Sequence, residues 1–327
     1  MINKLLTAIA IMLSTASFGQ QTTQFSQYMK NQYMVNPGSA GMYDFVDVTV
    51  GGRMQWLGFD DAPKSSYLYI SSPLKKRGSR ARYNPGIRIS NRGVQAPKVG
   101  TGKLKHAIGG FVLADQYGAY QQLKFAGTYA LHLPLSRDYN LSFGTNVGMS
   151  SRTFLKDRAQ TLNIITGVGV DPTYDAYSQS ANLNTLDVGL GMYLYSQELF
   201  VGIAAEQLTK DFVSFGSGTA NFDPRTHLRF TAGYKFQMNR DWSATPSILA
   251  KYVQNAPLSF EGSAVFEYKN WVWFGLSYRN TDAVIAMVGL NISERFKFGY
   301  SFDYNVSRFN KYSAGGHEVV LGLMLGK

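Results

Sequence analysis

The chain has 327 residues, a formal net charge of +11 and a mean hydropathy of −0.16, and 45% of its residues are hydrophobic. It contains no cysteine, which excludes disulfide bonds, thiolate metal sites and a lipoprotein anchor. The positive charge brings nucleic acids and membrane surfaces into consideration as partners, and its distribution along the chain matters more than its size.

The first residues predict a secretory signal peptide. Lys4 supplies a positive charge, Leu5–Leu13 form a short apolar run, and small residues precede a cleavage site after Gly19. We therefore expect residues 1–19 to be a signal peptide. The apolar run is too short to span a bilayer, and no later stretch offers the ~20 consecutive apolar residues of a transmembrane helix. Residence in a membrane would therefore require strands.

An apolar N-terminal segment, residues 20–44, follows the predicted cleavage site. The spacing of Phe25, Tyr28, Met29 and Tyr33 suits a short helix with one apolar face. Asn36-Pro37-Gly38 should end that helix, because the residue before a proline avoids the helical region. Two placements stay open: a plug inside or beneath a barrel, and a periplasmic tail that binds a partner.

Strict alternation of apolar and polar residues dominates the rest of the chain, as in Phe296–Ser307. This pattern, together with 21 Tyr, 21 Phe and 33 Gly residues, is typical of outer-membrane barrel strands with aromatic girdles and tight curvature. We predict an all-β fold, a transmembrane antiparallel β-barrel of about 14 strands over residues 45–327. The predicted strands are Phe45–Trp56, Ser65–Pro73, His106–Asp115, Gln121–Leu135, Tyr139–Arg152, Thr185–Ser196, Leu199–Thr209, Thr226–Met238, Trp242–Val253, Leu258–Tyr268, Trp271–Asn280, Ala283–Ser293, Phe296–Ser307 and Gly316–Gly326.

The connections between these strands predict the orientation of the barrel. Ser136–Asp138, Ser196–Glu198, Asn239–Asp241, Lys269–Asn270 and Ser293–Arg295 are tight turns that fall on one side by strand count. Outer-membrane barrels place short turns in the periplasm and long loops outside the cell. We therefore expect an integral outer-membrane protein with periplasmic N- and C-termini and with long extracellular loops, which are Thr153–Asn184, Lys210–Arg225 and Arg308–Gly315.

The alternation also assigns side chains to the two faces of the barrel. The outward sets include Leu228, Phe230, Ala232, Tyr234 and Phe236 in one strand and Leu141, Phe143, Thr145, Val147 and Met149 in another. Fourteen strands enclose more room than side chains alone can fill, so the lumen is either a paired, plugged interior or a watery pore. The predicted inward charged set is His227, Arg229, Lys235, Lys124, Lys251, Glu261, Glu267, Asp187, Asp303, Arg53 and Glu318.

One predicted periplasmic turn, Leu74–Lys105, is long and strongly basic, and no acidic residue occurs between Ala62 and Ala114. It is either a solvated loop or a docking site for an acidic periplasmic partner or for anionic lipid. The secretory compartment argues against nucleic acid. The candidate docking residues of this basic turn are Lys75, Lys76, Arg77, Arg80, Arg82, Arg88, Arg92, Lys98, Lys103 and Lys105.

Local motifs give no catalytic, cofactor-binding or metal-binding site. The four histidines fall on separate strands and are interpreted as polar groups of the lumen. Gly189-Leu190-Gly191 lacks the following helix of a nucleotide loop. The tryptophans beside the predicted periplasmic turns, Trp242, Trp271 and Trp273, suit an interfacial girdle. We expect a protein that is not an enzyme and has no cofactor.

Two blocks of sequence carry a resemblance to a known family. The first contains Gln24, Phe25, Ser26, Gln27, Tyr28 and Met29, then Asn36-Pro37 and Ala40-Gly41. The second contains Arg53, Gln55, Trp56, Gly58 and Phe59, followed by Pro63. Together they resemble the PorP/SprF family of type IX secretion system outer-membrane proteins.

The resemblance implies a non-enzymatic barrel of the Bacteroidota outer membrane that serves type IX protein secretion, gliding motility and surface display. Its implied partners are a large secreted surface adhesin with a type B C-terminal signal, periplasmic type IX secretion components and outer-membrane lipid, but no nucleic acid. The expected function is an accessory barrel that supports adhesin secretion and attachment by protein–protein binding. The alternative is a diffusion channel or a transporter of small hydrophobic solutes.

Overall fold

A computed structural model describes residues 23–74, 99–155, 158–159, 166–167, 182–209, 214–215, 225–254, 256–293, 295–306 and 308–326. Fourteen of its strands form the wall of a barrel. They are β1 Val46–Met54, β2 Lys64–Pro73, β3 Lys105–Tyr117, β4 Tyr120–Pro134, β5 Asn140–Phe154, β6 Asn182–Tyr195, β7 Leu199–Glu206, β8 His227–Tyr234, β9 Trp242–Val253, β10 Ser259–Tyr268, β11 Val272–Arg279, β12 Ala283–Asn291, β13 Phe296–Asn305 and β14 Gly316–Leu325.

The sheet closes on itself by pairing its first and last strands. β1 runs antiparallel to β14, from Val46 opposite Leu325 to Met54 opposite His317. Every other strand pairs with its neighbours in sequence, also antiparallel. Two short pieces add to the wall: Phe236–Gln237 extends β8 along β9, and Ser214–Phe215 pairs with β6. The predicted closed barrel of 14 strands is confirmed, and each predicted strand overlaps an observed one.

Burial alternates along the strands, as the sequence pattern predicts. In β11, Leu276 is 61% exposed on the outer face, whereas the neighbouring Ser277 is buried on the inner face. β2 follows the same rule, with Leu68 outward and Tyr67 and Tyr69 inward. An outward apolar band around a polar interior is the arrangement that a bilayer requires of a barrel. No helix within the described ranges has the length and apolar character needed to cross a membrane.

The two ends of the barrel differ. One end, the short-turn face, carries the predicted tight turns, including Lys269 and Asn270 with φ of 49° and 52°, the left-handed pair of a type I′ hairpin. The opposite end, the loop face, carries the connections between β1 and β2, β5 and β6, β7 and β8, and β13 and β14. β3 and β4 are joined there by a tight turn at Gly118, so not every connection on this face is long.

The N-terminal segment contains three short helical pieces rather than one amphipathic helix. These are a 3-10 turn at Tyr28–Lys30, an α-helical turn at Gln32–Val35 and a second 3-10 turn at Pro37–Ser39. Asn36 is extended, as expected before a proline, and its side chain accepts a hydrogen bond from the Gly38 amide at 2.8 Å. All four residues of the α-helical turn are buried, so it has no solvent face.

Three predictions about individual side chains were wrong. Trp273 is not in an interfacial girdle: it is 3% exposed and faces inward, because it shares its parity in β11 with Ser277. His106 and His317 are not lumen groups. His106 alternates with the inward Ala107, and its Nδ1 lies 2.6 Å from the hydroxyl of the outward Tyr129. His317 pairs in the same way with the Tyr300 hydroxyl, at 2.6 Å.

The outward face of β11 gives a test of the bilayer contact. Leu276→Arg, near the middle of the strand, should lower the free energy of unfolding by about 2–4 kcal/mol, because a charge is costly at the bilayer midplane. Phe296→Arg, at the first residue of β13, should cost only about 0–1 kcal/mol, because it lies near the interface. Urea unfolding from lipid vesicles measures both. Equal costs would contradict a membrane-facing outer wall.

Candidate functional site

The described part of the N-terminal segment, from Thr23 to Met42, occupies the interior of the barrel. Tyr28, Asn31 and Ala40 have no exposed surface, and the segment contacts inward-facing residues of strands around the whole ring. Phe25 packs edge-on against Tyr67 of β2 with ring centroids 5.0 Å apart. The segment therefore forms much of the core of the folded chain.

A buried charged cluster, made of Arg53, Arg279, Asp303 and Glu318, holds the start of the segment at Ser26. The Glu318 carboxylate accepts the Ser26 amide at 2.7 Å, and the Ser26 hydroxyl donates to Asp303 at 2.7 Å. Arg53 donates to the Ser26 hydroxyl and, at 2.8 Å, to Asp303. All of these side chains are at most 3% exposed.

Arg279 ties this cluster to the neighbouring strands. Its guanidinium donates to Glu261 at 2.7 Å, to Asp282 at 3.0 Å and to Asp303 at 3.2 Å. Its contact with the Ser26 hydroxyl, at 3.3 Å, joins it to the segment. Removal of one partner from a buried ion pair typically costs about 3–5 kcal/mol, because an uncompensated charge remains. The cluster therefore holds the segment in one position.

A second contact lies close to the short-turn face. Lys30 forms an ion pair with Glu267, which also accepts from Lys235 at 2.8 Å. The Lys30 ammonium lies 5.3 Å from the ring centroid of Trp273, within the range of a cation–π interaction. The inward position of Trp273 is thus explained by its contact with the segment.

Glycines in the wall make room for the turn around Asn36. A Cβ added to Gly144 would lie 2.3 Å from the Pro37 backbone, and one added to Gly191 would lie 2.1 Å from the Asn36 amide oxygen. The Asn36 amide nitrogen donates at 3.1 Å to the carbonyl oxygens of Met192 and Ile203. The bare backbone of the wall is therefore shaped to the segment here, a close approach that only glycine permits.

A third set of charges supports the helical turn Gln32–Val35. Arg229 donates at 3.3 and 3.4 Å to the carbonyl oxygens of Met34 and Val35, and at 2.6 Å to Glu206. Lys124 completes the set with Asp187 at 2.7 Å and Glu206 at 3.4 Å. These pairs satisfy helix carbonyls that have no partner within so short a helix.

The segment leaves the lumen at the short-turn face. The Ala40 carbonyl lies 2.8 Å from His132 Nε2, and the Gly41 amide, at a residue with φ of +63°, donates to the Ser71 hydroxyl at 2.6 Å. Residues 99–105 lie across this exit. Lys105 donates to the Met42 carbonyl at 2.8 Å, and Gly100 bonds to the same oxygen at 3.0 Å.

The two blocks of the predicted family motif lie in different parts of the structure. Gln24, Phe25, Ser26, Gln27, Tyr28, Met29, Asn36, Pro37, Ala40 and Gly41 lie in the N-terminal segment. Gln55, Trp56, Gly58, Phe59 and Pro63 lie in the β1–β2 loop, where the Leu57 amide bonds to the Gly315 carbonyl at 2.9 Å. Arg53, at the end of β1, joins the second block to the first through Ser26.

The predicted basic turn is described only at its end. Lys75, Lys76, Arg77, Arg80, Arg82, Arg88, Arg92 and Lys98 lie outside the described residues. Lys103 is exposed, and Lys105 is engaged with the N-terminal segment. Sequence analysis did not single out Lys30, Arg279 or Gly144 for these contacts. The parity of Arg279 with Ser277 and of Gly144 with Ser142 was the available signal for their inward position.

Among the residues that the structure describes, no group of three or more His, Cys, Asp or Glu side chains is arranged to hold a metal ion. The buried carboxylates instead bind guanidinium, ammonium and backbone amide groups. The arrangement therefore supports packing and the positioning of a chain segment.

Comparison with known proteins identifies a family and a shared fold. The family described as "Type IX secretion system membrane protein PorP/SprF" matches residues 17–323. Proteins of curated function give no match. Among solved structures, the CymD monoaromatic hydrocarbon channel is similar, with 9% identity over 94% of each chain and a TM-score of 0.50. The TodX deltaS2S3 mutant monoaromatic hydrocarbon channel has 8% identity over 90% of this chain and 94% of its own, with a TM-score of 0.51. At these identities the likeness shows a common barrel fold.

The glycines beside Asn36 give a matched test of the packing in the lumen. Gly144→Val should displace the segment and lower the free energy of unfolding by about 1–3 kcal/mol, the usual cost of overpacking. Gly127→Val is the control, because nothing lies within 4 Å of a Cβ at Gly127. The temperature at which the folded band is lost in a heat-modifiable gel measures both. Equal stability of the two variants would contradict a tight fit between the segment and the wall.

Proposed function

Because this chain belongs to the PorP/SprF family of type IX secretion system membrane proteins and is an integral barrel of the outer membrane, we propose that it supports secretion and surface attachment of a large adhesin by binding proteins. In this proposal the barrel conducts no solutes. It is an accessory component that holds the exported adhesin on the outside and contacts secretion components in the periplasm.

The observation that carries the proposal is the filled lumen. Residues from Thr23 to Met42 occupy the barrel interior and bond to the wall through Ser26, Lys30 and Asn36. A barrel of this size without such a segment would have space for solvent. We therefore assign the N-terminal segment, residues 20–44, the role of a plug, and residues 45–327 the role of the outer-membrane barrel.

The two faces suit different partners. On the loop face, the β1–β2 and β13–β14 loops are joined by backbone hydrogen bonds at Leu57, which accepts from Ala314 at 2.6 Å and donates to Gly315 at 2.9 Å. Exposed side chains, including Phe59 and Tyr312, project from this joined pair. We propose that the loop face holds the exported adhesin. The predicted loops Thr153–Asn184 and Lys210–Arg225 fall largely outside the described residues.

The rival function is a diffusion channel. Its support is the barrel fold shared with hydrocarbon channels, which shows architecture and not transport.

Conductance measurements in planar lipid bilayers distinguish the binding function from the channel function. The intact protein should give no steady large conductance, and deletion of Gln20–Tyr43 should raise conductance because the plug is lost. Gly144→Val retains the segment in the chain but displaces it from the wall, so this variant should give an intermediate rise, and Gly127→Val should leave conductance unchanged. Steady large conductance of the intact protein would overturn the binding proposal and favour the channel.

The partner is tested in cells. Removal of this chain should reduce the amount of adhesin on the cell surface, and expression of the Gly127→Val control should restore it. The adhesin is identified as a large exported protein with a C-terminal sorting domain, and a neighbouring gene is the first candidate. Normal surface adhesin in the absence of the chain would contradict the proposed role.

The basic turn is the proposed contact with acidic periplasmic secretion components. Its described end lies against the exit of the plug, where Val99 forms a β-bridge with Tyr43 and Lys105 donates to Met42. The described end of the turn, residues 99–105, therefore lies at the short-turn face. The docking role of the basic residues before Val99 is proposed from the sequence, because these residues lie outside the described ranges.

Charge reversal tests this contact. Substitution of the first five basic residues of the turn by glutamate should lower surface adhesin while the barrel still inserts, because an acidic partner would then be repelled. Arg137→Glu with Arg240→Glu, at exposed positions of two other short turns, is the control for charge reversal elsewhere on this face. Unchanged adhesin levels with correct insertion would remove the docking role. The five residues are Lys75, Lys76, Arg77, Arg80 and Arg82.

A further inference from the structure

The first limb of the N-terminal segment, Thr23–Lys30, runs along the height of the barrel. The carboxyl end of this limb is held by the ion pair between Lys30 and Glu267. Glu267 is the second-last residue of β10, directly before the tight turn at Lys269 and Asn270. Lys30 therefore lies close to the short-turn face.

The middle of the limb lies at mid-height. The Tyr28 hydroxyl is 3.1 Å from the hydroxyl of Ser247, which lies near the centre of β9. Two residues earlier, Ser26 bonds to Arg53 and Glu318. Arg53 is the second-last residue of β1 and Glu318 the third residue of β14, so both lie near the loop face.

The amino end of the limb continues in the same direction. The Thr23 hydroxyl donates at 2.9 Å to Asp115, which also accepts from Ser65 at 2.6 Å. Asp115 is the third-last residue of β3 and Ser65 the second residue of β2, and both strand ends belong to the loop face. Phe25 packs against Tyr67 on the way.

The length of the limb fits this path. Eight residues, part of them in a 3-10 turn, cover about 20 Å. With the added reach of the Lys30 side chain, this is comparable to the apolar band of an outer-membrane barrel, about 25 Å tall. The limb is therefore long enough to lead from one face to the other.

We propose that the amino end of the mature chain opens at the loop face, on the opposite side of the membrane from the end of β14. The proposal differs from the sequence-based expectation of a periplasmic N-terminus. β14 ends at Leu325 beside Val46, on the short-turn face. That the loop face is extracellular rests on the proposed function. That Thr23 and the loops lie at the same face of the barrel rests on the contacts of Thr23 with Asp115 and does not depend on that function. The amino end is then part of the surface that contacts the exported adhesin.

The absence of cysteine from the chain permits a direct test by single-cysteine labelling with a membrane-impermeant maleimide on intact cells. The test variant is Thr23→Cys. Tyr312→Cys, at a residue 71% exposed on the loop face, and Asp138→Cys, at an exposed short turn, report the two faces. We expect Thr23→Cys to be labelled on intact cells like Tyr312→Cys, and Asp138→Cys only after permeabilisation. Labelling of Thr23→Cys only after permeabilisation, together with Asp138→Cys, would overturn the proposal.

A second variant removes the dependence on the partial burial of Thr23. A short epitope with a cysteine, inserted between Thr22 and Thr23, should be reached by antibody and maleimide on intact cells. The same epitope inserted after Asp138 is the control, and heat-modifiable mobility confirms that each barrel is folded. If the epitope before Thr23 is reached only under the conditions that expose the epitope after Asp138, the proposal is wrong. If Tyr312→Cys and Thr23→Cys are both protected on intact cells while Asp138→Cys is labelled, the orientation in the proposed function is wrong and the shared face stands.

Discussion

Lipid offers no hydrogen bonds to a protein backbone, so the pairing of β1 with β14 is the contact on which the rest of this structure depends. With the ring closed, the fourteen described strands of the wall leave no open edge towards the bilayer, and their alternating side chains separate into an outer apolar face and an inner polar face. The closure also creates a new requirement. Fourteen strands surround more space than their own inward side chains fill, and that space takes up the N-terminal segment.

A segment placed in a closed interior brings its own backbone groups, which need partners there. Several of these partners are inward-facing side chains of the wall. Glu318 accepts two amides of the segment, from Ser26 at 2.7 Å and from Gln27 at 3.2 Å, and Arg229 donates to two of its carbonyls. Glycine at Gly144 and Gly191 allows the closest approach. Inward charges, which line the water-filled channel of porins, here bind a chain segment, and the wall glycines make room for it.

The sequence predicted the wall of the barrel well because alternation is a local property. The inward position of Arg53, Asp303 and Glu318 follows from parity, and the length of each alternating run gives the approximate extent of its strand. The errors occurred where parity was not applied: Trp273 was assigned by its position near a turn, and His106 and His317 were assigned by their polarity. The contact between Ser26 and Glu318 joins residues at opposite ends of the chain, and no local pattern encodes it. Gly191 was interpreted only as a strand glycine, because its neighbour Asn36 lies far away in sequence.

The N-terminal segment needs hydrogen-bond partners from the wall, and the wall in turn needs partners from the segment. The Glu318 side chain is fully buried, and its two shortest bonds are donated by the segment, whereas its bond to Arg53 is 3.5 Å long. Without the segment, a buried carboxylate would lose its best donors, and such a group is costly to leave unpaired. The N-terminal segment is therefore a structural part of the barrel with two anchored ends, Ser26 towards the loop face and Ala40 towards the short-turn face. A lumen filled in this way leaves two distinct faces of the barrel for contact with other molecules, in keeping with the proposed binding role.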